Sequence, residues 1–83
     1  MISLQHALAN DALDSTARSL VSLVYEEALN SLRKSGVVTT QTVRNMIAEA
    51  LLSDAIAGER NSYVLLQSAL AAGMSAHQRN VST

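Results

Sequence analysis

Cysteine, proline, phenylalanine and tryptophan are all missing from this sequence, and each absence narrows what the chain can be. Without cysteine there is neither a disulfide framework nor a thiolate metal ligand. The two histidines, His6 and His77, stand near opposite ends with no ligand spacing between them, so a structural metal is not expected. Without proline, and with only three glycines, the chain has few places at which a helix must stop. Two tyrosines are its only aromatic residues, so the core must be built from Leu, Ala, Val, Ile and Met. Charge is balanced too. A formal net charge of −1 supplies no strong field for nucleic acid or an anionic membrane. No apolar run approaches the roughly 18 residues of a membrane span. The N-terminus lacks a basic region followed by an apolar one, so no export signal is expected.

What is present is a helical chain of 83 residues, 48% of them hydrophobic. That length predicts one domain over residues 1–83. Its core is thin. Ordering a residue costs roughly 1.5 kcal/mol and burial returns roughly 25 cal/mol per Å², terms that nearly cancel for chains of this size. With disulfides and metals set aside, self-association is the expected source of further buried surface. A cytoplasmic protein of bacterial or phage origin fits these bounds.

Residues 11–34 read as one amphipathic helix, about 36 Å long by its rise per residue. Leu13, Ala17, Leu20, Val21, Leu23, Val24, Ala28 and Leu32 fall within an arc of roughly 180°, with Tyr25 and Leu29 at its edge. Ser15, Ser19, Ser22, Glu26, Asn30 and Arg33 take the other side. An arc this wide needs at least two partner helices. We therefore expect an obligate homodimer with Leu13, Ala17, Leu20 and Val24 at the interface. Residues 2–9, with Ile2, Leu4, Ala7 and Leu8, could form two helical turns, but carried straight back from the main helix Leu4 and Leu8 would land among its serines. A break at Asn10 and Asp11, both good N-caps, resolves this; a second subunit covering the serine side is the alternative.

Arg33, Lys34, Ser35 and Gly36 close the main helix, two cations complementing its dipole and a glycine supplying the left-handed residue beyond. Thr39 reads as the next N-cap, with Val38 and Val43 forming a hydrophobic staple across it. The second helix then buries Val43, Met46, Ile47, Ala50 and Leu51. Carried on straight, it would turn Asp54, Gly58 and Asn61 inward, so a break near Gly58 is expected. A third helix over residues 60–74 uses Tyr63, Leu66, Leu70 and Met74 on one face, with Val64, Leu65 and Ala69 beside it. One unbroken helix over residues 40–74, sandwiched between subunits, is the alternative. Residues 75–83 are polar and expected to be disordered. The fold class is an all-α three-helix domain, paired into a dimeric helical bundle.

Little here could carry chemistry. His6 and His77 have no Ser, Cys or acidic residue at a triad-like spacing. Glu26 and Glu27 point about 100° apart on a helix and make no carboxylate pair. The glycines are isolated and form no phosphate-cradling loop. Neither an enzyme nor a cofactor is expected.

Two patterns rise above this background. Residues 36–47, G-V-V-T-T-Q-T-V-R-N-M-I, resemble the turn and recognition helix of helix-turn-helix DNA-binding proteins, and that resemblance would make Gln41, Thr42, Arg44 and Asn45 groove-facing. The turn is one residue too long between glycine and cap, and the preceding helix far longer than is usual. With Arg33 and Lys34, these residues are the candidate contacts to DNA or to a partner. Over residues 13–70, the order of a long apolar helix, S-G, a short loop ending in Val38, a polar cap cluster and two further helices resembles the small AriR/YmgB family of bacterial biofilm and stress regulators. The resemblance rests on Ser35, Gly36, Val38, Val43, Ile47 and Leu51. It implies a small helical dimer connecting to a two-component phosphorelay, and DNA association has been proposed for such proteins; it assigns no functional residue. The expected function is that of a small non-enzymatic regulator or adaptor acting through protein contacts as a homodimer, with a DNA-binding regulator as the alternative.

Overall fold

The computed structural model of the protein describes residues 14–82. They form three α-helices, α1 (Ser15–Lys34), α2 (Gln41–Ile56) and α3 (Ser62–Ser82), with no strand among the described residues. The all-α expectation therefore holds, and residues 40–74 form two helices rather than one. The expectations placed on Ile2, Leu4, His6, Ala7 and Leu8, on Asn10 and Asp11 as caps, and on Leu13 at an interface lie outside the described residues.

Each helix end has a local cause. Asp14 is extended (φ −77°, ψ 174°) and its side chain accepts a hydrogen bond from the Ala17 N–H at 2.8 Å, so α1 begins at Ser15 and not at residue 11. Asp14 stands one turn before Ala17, the first buried position among the described residues, and caps the helix there. At the other end Gly36 takes φ +87°; its N–H donates to the Arg33 carbonyl at 3.0 Å, and the Val37 N–H donates to the Leu32 carbonyl at 2.9 Å. This paired closure, one bond inside the other, is the Schellman motif. It is repeated at the end of α2, where Gly58 has φ +106°, its N–H donates to Ala55, and the Glu59 N–H donates to Asp54. The break expected at Gly58 is therefore present.

The first closure corrects the staple. Val37, the residue after Gly36, is brought back over Leu32 and is 5% exposed, whereas Val38 is 69% exposed. The cap moves with it. Thr40, not Thr39, accepts from the Val43 N–H, at 3.2 Å, which leaves Thr39 rather than Val38 in the position preceding the cap.

The three helices pack pairwise, so α1 meets both α2 and α3 of its own chain. The broad apolar arc of α1 thus finds its two partners without a second subunit. Ala17 and Val24 are 0% and 1% exposed, and Val21, Ala28, Leu29 and Leu32 are buried beside them. Ala17 and Val24 are therefore core residues of one chain, out of reach of a second copy while the fold is closed. Leu20 is half-buried, and Leu23, placed on the apolar side by its wheel angle, is exposed. From α2 the core takes Val43, Ile47, Ala48, Leu51 and Ala55, with Met46 and Ala50 half-buried.

The largest departure is the face that α3 presents. Its buried stripe is Leu65, Ala69, Gly73 and Ala76; Leu66 and Leu70 are half-buried, and Tyr63 and Met74 are 68% and 38% exposed. Both stripes have helical spacing, and the narrower one is inside because α3 runs against two helices at once. At Gly73 the approach is so close that a Cβ would stand 2.5 Å from Leu32 Cδ1 and 3.2 Å from Ile47 Cδ1. The helix also continues to Ser82, with Ala76 buried, where disorder was expected from residue 75. The polar letters after Met74 lie around a helix that still has an apolar contact to make.

Candidate functional site

The residues singled out by the sequence meet where α1 ends and α2 begins, a corner built by the Gly36 closure. Arg33 and Lys34 stand in the last turn of α1, exposed, and after the connection of residues 35–40 Gln41, Arg44 and Asn45 occupy the first turns of α2. Arg33 reaches across the connection: its Nε donates to Thr39 Oγ1 at 3.4 Å, and its guanidinium makes a long contact to Asn30 Oδ1 at 3.5 Å. Gln41 Nε2 donates to Asn45 Oδ1 at 2.8 Å, so these two amides, one helical turn apart, are paired with each other. Lys34 extends the basic edge and adds no cross-connection of its own.

Tyr25, half-buried on α1 and packed against the core, lies within the electrostatic reach of this corner. Partial burial holds its phenol above the usual tyrosine range; the Arg44 guanidinium opposes that rise, Glu26 adds to it, and Arg33 opposes it more weakly. Both arginines therefore act on one hydroxyl, against the Glu26 carboxylate. Among the described residues of this corner no nucleophile is set against a base. Among the described residues no group of His, Asp and Glu could hold a metal ion, and no helix is long and apolar enough to cross a membrane.

As a groove-reading element the corner departs from what helix-turn-helix geometry requires. Residues 35–40 separate the helices, against a usual turn of about 3–4 residues. On the outer side of α2, Gln41, Thr42 and Asn45 are followed one turn on by the exposed carboxylate of Glu49, which would repel phosphate. A second feature lies along the outer face of α1, an open depression of about 850 Å³ whose described lining is Arg18, Ser19, Ser22, Leu23, Glu26, Glu27 and Asn30. All of these belong to one helix, whose convex surface does not enclose a small molecule.

Two structural roles escaped the sequence reading. Arg60 donates from its guanidinium to the carbonyls of Ala55 and Glu59, at 2.7 and 2.8 Å, and so completes the end of α2 from the far side of Gly58. Asn61 caps α3, its Oδ1 accepting from Tyr63 and Val64. The cap was visible as an Asn ahead of an apolar run; the arginine was not, because its reach depends on the turn. Comparison with protein-family models, curated proteins and solved structures found no match to this chain.

Proposed function

We propose that this chain is a small non-enzymatic regulator or adaptor, acting in the bacterial cytoplasm through protein contacts as a homodimer. The observation that carries the reading is the set of large apolar side chains that α3 leaves outside an otherwise closed core, namely Tyr63, Val64 and Met74. Exposed apolar side chains gathered on one element mark a surface for protein contact, whereas single ones are ordinary. The resemblance to AriR/YmgB-type regulators points the same way. The core closes within one chain, so the dimer we propose joins folded subunits and is not a condition of folding.

DNA binding by α2 is the competing reading, favoured by Arg33, Lys34 and Arg44 at one corner. In a two-fold dimer these would offer about six phosphate contacts, and affinity would then fall roughly a thousandfold between about 50 and 200 mM salt. The long connection, the Gln41–Asn45 pairing and Glu49 weigh against it. Light scattering after size exclusion, paired with duplex binding measured at about 150 mM salt, separates the two. We expect a mass of two chains and no sequence-dependent DNA binding tighter than about micromolar. A nanomolar, sequence-dependent complex abolished by Arg44→Ala would replace this reading with the DNA-binding one.

A further inference from the structure

Charge is distributed unevenly along this chain. Between residues 61 and 78 there is no Asp, Glu, Lys or Arg, although the sequence holds thirteen such residues, twelve of them before residue 61. That charge-free stretch is most of α3, and it is not a buried helix. Its inner stripe lines the core, but about 100° around the helix a second row, Tyr63, Leu66, Leu70 and Met74, is half-buried to exposed, and Gln67 and Ala71 beside it are exposed and neutral. The outer faces of α1 and α2 carry Glu26, Arg33 and Glu49, as solvated helices ordinarily do. Only α3 presents a continuous uncharged face with apolar residues in register.

We propose that two copies of this chain pair through that face of α3, antiparallel about a two-fold axis; the proposal rests on the homodimer reading above and names its surface. Charge identifies the occupant. In a two-fold contact every residue near the axis meets its own copy, so any Lys, Arg, Asp or Glu there would face a like charge. A face without charge removes that repulsion, whereas a foreign partner is ordinarily selected by opposite charges around the patch. The row from Tyr63 to Met74 spans about 16 Å. Antiparallel pairing sets Tyr63 of one copy beside Met74 of the other and brings Gln67 and Leu70 towards the axis. One helix pair of this length lies at the low end of specific interface sizes, so the dimer is expected to dissociate in the micromolar range.

The absence of native cysteine gives a direct test. Gln67→Cys, close to the proposed axis, should form a disulfide-linked pair of chains under mild oxidation, and Leu23→Cys, on the exposed outer face of α1, should not. Independently, Tyr63→Glu combined with Met74→Glu should raise the dissociation constant measured by analytical ultracentrifugation about a hundredfold while helix content is kept, since both side chains are outside the core. A wild-type dimer whose dissociation constant ignores the two glutamates would overturn the α3 surface and leave the homodimer reading standing. An intrachain link from a thiol-directed photo-crosslinker at Gln67→Cys to residues 1–13 would make the chain's own N-terminal segment the occupant and also overturn it. A single-chain mass for the wild type up to about millimolar concentration, well above the micromolar range expected, would overturn both.

Discussion

Replacing Gly73 by alanine sets two opposed effects against each other at one atom. Glycine inside a helix costs up to about 1 kcal/mol relative to alanine, so on backbone grounds Gly73→Ala should stabilise α3. The added methyl, however, would arrive 2.5 Å from Leu32 Cδ1, 3.2 Å from Ile47 Cδ1 and 3.3 Å from Ile47 Cγ1. Leu32 must withdraw its methyl by about 1 Å, and it lies in a closed core where displaced side chains leave their rotamers. Ile47, fully buried, must yield by a few tenths of an ångström as well. Overpacking of this kind costs about 1–3 kcal/mol. The packing term wins: we expect a net loss of about 1 kcal/mol, which lowers the melting temperature of a domain this size by about 4–8 °C. Thermal and urea denaturation followed by far-ultraviolet circular dichroism measures it. The sign should reverse in a Leu32→Val background, where the Cδ1 methyl is gone and the same Gly73→Ala step gains its helix propensity, giving a coupling of about 1–3 kcal/mol. A rise in melting temperature on Gly73→Ala in the wild-type background would falsify the close approach of the three helices at this residue.

Adjacent residues on α1 give a second contrast: Val24→Asp, at a buried position, should cost more than about 3 kcal/mol or unfold the chain, while Leu23→Asp, at an exposed one, should stay within about 0.5 kcal/mol in urea titration. Equal losses would mean that α1 is rotated from the orientation described. At Gly36 and Gly58 a Cβ meets nothing within 4 Å, so alanine there reports backbone strain alone. About 1–2 kcal/mol is expected at Gly36, and more at Gly58, whose φ of +106° lies further from the left-handed minimum; no loss at either site would refute the closures. The raised Tyr25 phenol has a signed pH consequence. Its folded value lies above its unfolded one, so its contribution is fully present below the ordinary tyrosine range and is lost as pH rises through that range towards the folded value. Stability should therefore fall with alkaline pH and fall less steeply in Tyr25→Phe, as denaturation midpoints across that window would show; an identical slope in the two proteins would remove the burial assigned to the ring.

The sequence by itself determined where α1 and α2 stop and where α2 and α3 start. Gly36 and Gly58 end α1 and α2 because only glycine enters a positive φ without steric cost, and the bonds that close each end run within six residues. Asn61 and Thr40 begin helices for the same local reason, an oxygen within reach of an orphan N–H. Periodicity likewise marked α1 as amphipathic and wide enough to need two neighbours. Tertiary structure alone decided which neighbours those are, and which face each helix gives them. The wide arc of α1 called for two partners and α2 and α3 supply them, so Ala17 and Val24 became core residues. On α3 two stripes have valid helical spacing, and the one with the larger side chains stayed on the rim because Ala69, Gly73 and Ala76 let three helices converge where Tyr63 and Met74 would hold them apart. Helical spacing reports that a face exists; the volume left between packed backbones selects the residues that can fill it.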